Sequence, residues 1–455
     1  MKKMIRLLVM TVVLVCFELS PKIQAVVPPP DGGYPNFNTA EGTKALQNLT
    51  TGAANTAVGW YSLFTDTTGS FNTGLGAGAL ILTNGDENTA IGAAALLFNT
   101  ADGNTAVGSR ALLNNTTGGT LANIQGIDIG PNVAVGQQAL ENNTVASANT
   151  AVGYQALHSF TTGPVGLEQI GVSTAVGFQA LAHATGAGAG NNAFGFQALF
   201  NDTEGAGNTA IGLSTMFINT TGSSNVAVGN NALSSNTTGN TNTAVGFSAL
   251  TGNTEGTNNT AIGFDALGGN TTGIDNIGVG EFAGAAVSTA NHVISIGTAG
   301  ANVDNSCYIG NIFGQPGGAQ AVFVSADGKL GAQVSSLRFK EKIRPIGQAS
   351  EALYALNPVA FRYKQEVDPT ATAQFGLVAE EVEKVSADLV LHDKEGKPYS
   401  VRYDQVNAML LNEFLKEHAA MQDLKKEIAA LKAGLQEVSD QLKVSRSVQL
   451  AENRQ

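Results

Sequence analysis

A short motif recurs along residues 55 to 290, and this repetition limits the possible folds more than any other feature of the chain. Each unit reads Asn-Thr-Ala-Val-Gly, two variable residues, Ala-Leu and a turn such as Asn-Thr-Thr-Gly, and the commonest spacing is 17 residues. One unit cannot bury its apolar residues alone, so the units are expected to stack on one another. The clear copies begin at Asn55, Asn72, Asn88, Asn104, Asn132, Asn149, Ser173, Asn191, Asn208, Asn225, Asn242, Asn259 and Asn276.

The residues of one unit predict a narrow coil. In Thr243–Val245, two β-branched residues share one face of a short strand and the alanine between them takes the other. Gly246 ends the strand where a side chain would crowd the bend, and Asn253–Gly256 turns the chain. Ala249 and Leu250 fill the interior of the coil. Stacked coils pair their backbones, and an Asn at the same place in each coil is expected to form a ladder of side-chain amides.

Two intervals between units are longer than the rest: 28 residues after Asn104 and 24 residues after Asn149. Their extra residues lie around Leu121–Pro131 and Pro164–Gly171. A regular stack accommodates insertions as surface loops, so these segments are expected to bulge from it.

Other interpretations of the repeat are disfavoured by its residue types. Gly and Thr are poor helix formers, which argues against helical repeats. Calcium-binding nonapeptide repeats need Asp at fixed positions, and these units lack it. A phosphate-binding glycine loop is also disfavoured, because Gly278-Val279-Gly280 lacks the full fingerprint of such loops. The Asn-x-Ser/Thr triplets follow from the turn consensus, so they are interpreted as structural rather than as sugar acceptors. Most threonines fall in turns, which disfavours an ice-binding array.

The distribution of charge divides the chain near Ser335. Residues 26–334 contain three basic and 17 acidic residues, whereas residues 335–455 contain 17 basic and 18 acidic residues. This break in composition predicts a domain boundary. The acidic first part has no basic patch, so nucleic-acid binding is disfavoured.

The N-terminus has the pattern of an export signal. Three basic residues within the first six precede the apolar run Leu7–Leu19, and Ala25 offers a cleavage point. The run is shorter than the roughly 18 apolar residues of a membrane span, so a signal peptide over residues 1–25 is favoured over an anchor. If Cys16 leaves with the signal, Cys307 is the sole cysteine and no intrachain disulfide is possible. Cys307 could be a core residue or could meet its copies in an oligomer, and the core position is favoured.

The Asn-Thr-Ala-Val-Gly units resemble the head repeats of trimeric autotransporter adhesins and of phage tail fibres over roughly residues 45 to 300. The resemblance implies that three chains, each wound as a β-roll, form one shaft. Trimerisation at this stage is an implication of the resemblance, since the repeat spacing does not determine the number of chains.

The sequence pattern changes after the repeats. Residues 301–334 are expected to form a bridge of Gly-rich turns and short strands, and residues 335–417 a small mixed α/β domain. Glu351–Leu356 has a helical pattern that Asn357-Pro358 ends. Strand-like alternation follows at Val359–Tyr363 and again at Tyr399–Tyr403, with a short helix between them.

A long helix is predicted from about Gln405, and residues 418–455 are expected to form a coiled coil and tail. Its apolar residues alternate three and four apart over about three heptads. No later element follows in the sequence to cover this seam, so self-association is favoured over packing on its own domain. The mixture of Leu, Ile and Val in this seam does not determine how many helices the coiled coil contains. The seam consists of Met421, Leu424, Ile428, Leu431, Leu435, Val438 and Leu442.

Ser335–Ile343 resembles the opening motif of the peptidase S74 family, with a Ser, an Arg three residues on and a Lys five residues on. This family comprises intramolecular chaperones of phage endosialidase tail spikes, related fibres and the myelin regulatory factor. One departure is Ser336, where the family commonly has Asp. Further matches, in chain order, are Leu356-Asn357-Pro358-Val359 with Phe361 and Tyr363, Phe375–Val382, and Tyr403 ahead of Leu410-Leu411.

The motif suggests a self-cleavage chemistry. A serine hydroxyl is a weak nucleophile that needs a base to remove its proton. In known Ser–Lys pairs the lysine is that base. The hypothesis is that Ser335 Oγ attacks the carbonyl of Val334, Lys340 takes the proton and returns it to the new amine, and water resolves the acyl intermediate. Arg338 is a candidate supporting residue. The resemblance implies that cutting follows the joint folding of three chains.

Together these patterns predict a mainly β N-terminal part, in which residues 26–54 lead into a β-solenoid or β-roll of 17-residue repeats over residues 55–300, followed by a small α/β chaperone domain that ends in a coiled-coil helix. The predicted function is an exported, trimeric fibre or adhesin-like protein that cuts itself at Val334–Ser335. The alternative is a surface fibre whose C-terminal domain trimerises without cutting. A glycan-degrading tail spike is disfavoured, because the repeats offer no carboxylates clustered in an aromatic groove. The predicted partners are further copies of the chain and an unidentified surface receptor or glycan, with no cofactor and no metal.

Overall fold

The computed structural model describes residues 33–119, 122–124, 127–161, 172–185, 188, 190–312, 322–324, 328–368, 370–393 and 395–452. The chain forms two compact units, Met1–Pro316 and Gly317–Gln455. The predicted signal peptide and the insertion Pro164–Gly171 lie outside the described residues. None of the described helices combines the length and the apolar character that crossing a membrane requires.

The N-terminal unit is a β-solenoid, as the repeat predicts. After a 3₁₀-helix at Pro35–Phe37, its short strands pair in parallel and in register from one coil to the next, so that Ala244 lies between Ala227 and Ala261. The first strand instead pairs antiparallel with the second. The strands are β1 (Gly33–Tyr34), β2 (Asn38–Glu41), β3 (Thr56–Val58), β4 (Thr73–Leu75), β5 (Thr89–Ile91), β6 (Thr105–Val107), β7 (Ala122–Ile124), β8 (Ile127–Ile129), β9 (Val133–Val135), β10 (Thr150–Val152), β11 (Thr174–Val176), β12 (Asn192–Phe194), β13 (Thr209–Ile211), β14 (Val226–Val228), β15 (Thr243–Val245), β16 (Thr260–Ile262), β17 (Ile277–Val279), β18 (Ile294–Ile296) and β19 (Cys307–Ile309).

The alternation within each strand decides which side chains enter the coil. Ala244 is completely buried, whereas Val245 beside it remains 37% exposed. Ala249 and Leu250 are also completely buried and close the interior from the opposite side. The same alanine and leucine positions form one continuous apolar cluster through the unit. This burial confirms the assignment of the interior residues from the repeat.

Gly246 shows why each strand ends in glycine. Its φ is +138°, a conformation that residues with a Cβ rarely adopt. A Cβ at this position would stand 2.3 Å from the carbonyl oxygen of Gly263 in the next coil. The close approach of successive coils therefore excludes a side chain here, as the sequence predicts.

The asparagine before each strand forms the predicted ladder. Oδ1 of Asn242 accepts a hydrogen bond from the backbone N–H of Asn259 at 3.0 Å, and its Nδ2 donates to the carbonyl of Gly256 at 2.8 Å. Asn242 in turn donates its own backbone N–H to Oδ1 of Asn225 at 2.9 Å. These side chains are completely buried, so the ladder satisfies polar groups that the narrow coil removes from water.

The first insertion does not interrupt the stack of coils. Within the insertion around Leu121–Pro131, β7 and β8 form an antiparallel pair, while β6 pairs directly with β9 across it, so the insertion leaves the stack intact.

The prediction that Cys307 is a core residue is wrong. Cys307 occupies the first place of β19, in register with the outward-facing Ile294, and its side chain is exposed.

The C-terminal unit combines three short antiparallel strand pairs with helices. Its small core is formed by Val382, Leu389, Val390, Val401 and Val406, all buried. The helical segment predicted at 351–356 belongs to a longer 3₁₀-helix, and the long helix begins two residues before the predicted start. In chain order the elements are β20 (Val322–Val324), β21 (Leu330–Ala332), 3₁₀-helices at Leu337–Phe339 and Gly347–Ala355, β22 (Val359–Phe361), β23 (Gln374–Gly376), α1 (Ala379–Val385), a 3₁₀-helix at Ala387–Leu389, β24 (Val390–His392), β25 (Pro398–Val401) and α2 (Tyr403–Glu452).

Candidate active site

Ser335 and Lys340, the predicted nucleophile and base, lie side by side at the start of the mixed α/β region. Nζ of Lys340 is 3.1 Å from Oγ of Ser335, within hydrogen-bond distance. A base must approach the proton it removes to about this distance. The arrangement therefore has the geometry that proton transfer between a serine and a lysine requires.

A single 3₁₀ turn brings these two residues together. Ser336 is extended, the chain turns through Leu337–Phe339, and Lys340 is extended again. The backbone N–H of Phe339 donates to the carbonyl of Ser336, and that of Lys340 to the carbonyl of Leu337, both at 3.0 Å. This turn shortens the path between Ser335 and Lys340, and their side chains meet although the residues are five positions apart in sequence.

The surroundings of the pair are open in the single chain. Val334, Ser335, Arg338 and Lys340 are all exposed. The guanidinium carbon of Arg338 lies over the ring of Phe339, 4.6 Å from its centroid. Arg338 thus packs on its neighbour in the turn, an arrangement that the sequence did not predict.

The residue preceding Val334 contacts the long helix. Nε2 of Gln333 donates a hydrogen bond to Oδ2 of Asp404 at 2.8 Å. Asp404 lies in the first turn of α2, 71 residues further along the chain. Sequence analysis missed this contact, because two exposed polar residues this far apart carry no local signal of their pairing.

The other side of the pair is also fixed to α2, through a polar cluster centred on two buried residues. Ser350 and Glu413 are both buried, and the hydroxyl of Ser350 donates to Oε1 of Glu413. The hydroxyl of Tyr354 donates to Oε2 of Glu413 at 3.0 Å, and Nδ2 of Asn412 donates to Oγ of Ser350 at 2.6 Å. Nζ of Lys416 donates to Oε1 of Glu413 at 2.7 Å. The cluster ties the 3₁₀-helix Gly347–Ala355 to the long helix.

These contacts shift the ionisation of the cluster in a consistent direction. The hydrogen bond from Lys416, followed by that from Ser350, lowers the pKa of Glu413, and the hydrogen bond with Glu413 raises the pKa of Lys416. The hydrogen bond to Glu413 also raises the pKa of Tyr354. Glu413 is therefore a carboxylate and Lys416 an ammonium at neutral pH. The available sequence signal was the charged Glu413 on the helix face of the buried Val406, seven residues before it, and of the partly buried Met409, four residues before it.

The predicted seam of α2 is exposed along its whole length in the single chain. Leu431 and Leu435 are 62% and 70% exposed, and the other five seam residues are at least half exposed. Exposure of a continuous apolar row on a helix is unusual for a chain that acts alone. Among the described residues, no group of three or more His, Cys, Asp or Glu side chains is placed to hold a metal ion.

The solenoid also presents an apolar surface, here called the outer stripe. It comprises the last residue of successive strands and the residue after the following glycine. Tyr154, Phe178 and Phe196 stack in sequence with centroid distances of 5.2 and 5.0 Å, and Phe247 stacks on Phe264 at 5.4 Å. Exposed members of the outer stripe include Phe178, Phe196, Ile211, Val245, Phe247, Ile262 and Phe264.

Comparison with known protein families supports the resemblance drawn from the motifs. The family model described as Peptidase S74, chaperone of endosialidase, matches residues 335–391. The match begins at Ser335 and includes Lys340. No curated protein matches the chain. The chain therefore joins a fibre-like β-solenoid to a region similar to endosialidase chaperones.

Proposed function

We propose that this protein is an extracellular fibre whose C-terminal unit brings three copies together and then cuts the peptide bond between Val334 and Ser335. The observation that carries the proposal is the 3.1 Å approach of Lys340 Nζ to Ser335 Oγ, at the first residue of the region that matches the chaperone family. Residues 335–417 act as the chaperone and self-cleaving domain, and residues 418–455 as the coiled coil and tail.

The reaction is an acyl transfer within one chain. Ser335 Oγ loses its proton to Lys340 and attacks the carbonyl carbon of Val334, and the bond from that carbon to the Ser335 nitrogen breaks. Lys340 delivers the proton to the departing nitrogen, which becomes a free amine. The resulting ester between Val334 and Ser335 Oγ is hydrolysed by water. The products are a fibre that ends in the Val334 carboxylate and a fragment that begins with Ser335.

Assembly is the step that makes the pair reactive. A lysine acts as a base only when its amine is neutral, and removal from water favours the neutral form. Ser335 and Lys340 are exposed in the single chain, so they retain water until other copies cover them. This requirement delays cutting until the fibre has formed, and each site acts once.

Two apolar surfaces support self-association. The seam of α2, from Met421 to Leu442, repeats at the spacing of coiled coils and is exposed in the single chain. The outer stripe of the solenoid is likewise exposed. Burial of apolar surface stabilises association by about 25 cal/mol per Å², so both surfaces favour contact between copies. The number three comes from the resemblance to endosialidase chaperones and to trimeric heads.

The finished fibre is proposed to work outside the cell or as part of a phage particle. The signal peptide predicted at residues 1–25 supports export, and the strongly acidic solenoid favours partners other than nucleic acid. Its partner is proposed to be a surface receptor or a glycan.

The test compares full-length variants by denaturing gel and intact mass after purification of the assembled form. The wild type is expected to yield a fragment of residues 335–455, and Ser335→Ala and Lys340→Ala to remain whole. Ser336→Ala and Lys342→Ala are matched controls, because each removes the same side-chain type from the same exposed segment. Both controls are expected to cut as the wild type does.

A whole wild-type chain in a preparation that light scattering shows to be trimeric would reject cleavage and leave a fibre that assembles without cutting. Cutting that persists in Ser335→Ala would reject the assigned nucleophile.

A further inference from the structure

We propose that Asp404 is a positioning residue for the cleavage reaction, because it holds Gln333 and thereby the adjacent Val334–Ser335 bond on the first turn of α2. The proposal rests on the proposed function, since it concerns the rate of the same cut. It adds a residue outside the region 335–391 that the family model matches.

The contact acts next to the reacting atoms. Oδ2 of Asp404 accepts the hydrogen bond of Gln333 Nε2 at 2.8 Å, and Gln333 is separated from the attacked carbonyl of Val334 by one peptide unit. A hydrogen bond to a charged acceptor is stronger than one between neutral groups. Asp404 therefore limits the freedom of the segment that enters the reaction.

The segment is also held on its other side. Ser350 and Tyr354 bind the carboxylate of Glu413, nine residues after Asp404 on the same helix, which corresponds to about 13 Å at 1.5 Å per residue. Lys416 neutralises the charge of Glu413. The residues between Gln333 and Ser350, which include the nucleophile and the base, thus span two fixed points on α2.

This arrangement links the reaction to the helix that carries the seam. The two anchor points and the seam from Met421 to Leu442 belong to one continuous helix, Tyr403–Glu452. Any ordering of α2 that accompanies its association therefore orders both ends of the reactive segment. Cleavage depends steeply on alignment, because a displacement of about 1 Å at a reacting group can cost about 100-fold in rate.

The experiment follows the first-order appearance of the 335–455 fragment by intact mass after a pulse of cell-free synthesis of the full chain. Asp404→Ala and Gln333→Ala are each expected to slow cutting about 10-fold, since one exposed tie controls only part of the alignment. Asp404→Asn is expected to cut at a rate between those of Asp404→Ala and the wild type, because its Oδ1 accepts the same hydrogen bond without the negative charge. The double variant is expected to be no slower than either single variant, because both remove one interaction.

The matched control is Asp423→Ala, which removes an exposed aspartate from the same helix, where it pairs with Lys426. Its rate is expected to equal that of the wild type. The thermal midpoint and the mass of the assembled form are measured for every variant, and Asp404→Asn and Gln333→Ala decide the question if Asp404→Ala fails to assemble.

Two results would overturn the positioning role while leaving the proposed function intact: rates within twofold of the wild type for Asp404→Ala and Gln333→Ala, or additive slowing in the double variant. A wild type that never cuts would reject the proposed function and the positioning role with it. Equal slowing in Asp404→Asn and Asp404→Ala would also contradict the hydrogen-bond argument.

Discussion

At the scale of the residue, the buried asparagines of the ladder supply hydrogen bonds to backbone groups inside the solenoid. Asn242 is completely buried, and its side chain contacts the backbone of two other residues, Gly256 and Asn259. It also donates to Oδ1 of Asn225 at 3.1 Å. A buried polar group that loses its partner costs about 1–3 kcal/mol, so each ladder position matters individually.

Replacement of Asn242 by Ala is expected to lower the free energy of unfolding by about 2 kcal/mol, because it leaves the N–H of Asn259 without its partner and removes one of the two side-chain donors to the carbonyl of Gly256. The measurement is chemical denaturation of the Ser335→Ala background, which prevents any change of chain length. Asn240→Ala is the control, since Asn240 is an exposed asparagine of the same turn. Equal stability of the two variants would contradict the role of the ladder.

Asp202 is an acidic residue in a second, parallel ladder, at the place that Asn219 occupies in the next coil. Its Oδ1 accepts from Nδ2 of Asn219 at 2.6 Å and its Oδ2 from Nδ2 of Asn191 at 3.1 Å. Burial raises the pKa of Asp202 from 3.8 to about 8. Below pH 3.8 the carboxyl is protonated in both the folded and unfolded states. As pH rises toward 8, the unfolded state ionises first, so the solenoid loses stability over this window.

Asp202→Asn is therefore expected to raise the free energy of unfolding at pH 8, on the order of a few kcal/mol, and to change it little below pH 4. The thermal midpoint, measured at both pH values, reports this change. Asparagine also fits the ladder, since Asn219 donates to Gly222 from the equivalent place. Glu204→Gln in the same coil removes an exposed charge and serves as the control. A gain in stability that is the same at both pH values would contradict the burial of an ionisable group.

The sequence predicts the ladder, the buried alanines and the terminal glycine, because each follows from strand alternation and close packing. It does not predict the backbone of Ser248 and Leu250, whose φ values of 56° and 52° lie in the left-handed region that such residues rarely adopt. The N–H of Leu250 donates to the carbonyl of Ala266 in the next coil at 2.9 Å, which compensates for this conformation. Cys307 was misplaced because residue type alone favours burial, whereas its strand position faces outward.

At the scale of the element, strong periodicity was predictable and long-range contacts were not. The repeat predicts the coils, and the heptads predict the long helix α2. The ties of Gln333 and Ser350 to α2 depend on residues more than 60 positions apart. Nothing in the local pattern specifies such pairs. The candidate site was therefore located from its motif, while its anchors required the folded chain.

Leu431→Glu is expected to abolish association through α2 and, with it, cleavage, because a charge buried in a coiled-coil core costs several kcal/mol. Light scattering reports the mass of the particle and intact mass reports the cut. Ala433→Glu places the same charge two residues further along, at an exposed position on the side of the helix away from the seam, and is expected to behave as the wild type. Normal assembly of Leu431→Glu would show that the seam of α2 does not hold the copies together.

At the scale of the whole molecule, the two units differ in what they can do. The N-terminal unit is a β-solenoid with few charges and an extensively hydrogen-bonded interior, which suits a permanent fibre. The C-terminal unit has a small core, an exposed apolar helix face and the Ser335–Lys340 pair. Under the proposed function, the first unit is the lasting structure and the second acts once, when the fibre matures.

The most direct test of this account is the intact mass of the C-terminal fragment from the purified, assembled wild-type protein. Self-cleavage at the proposed bond would give a fragment that begins with Ser335 and ends with Gln455, together with a fibre chain that ends at Val334. A full-length mass in trimeric material after prolonged incubation, or a fragment that begins at any other residue, would contradict it.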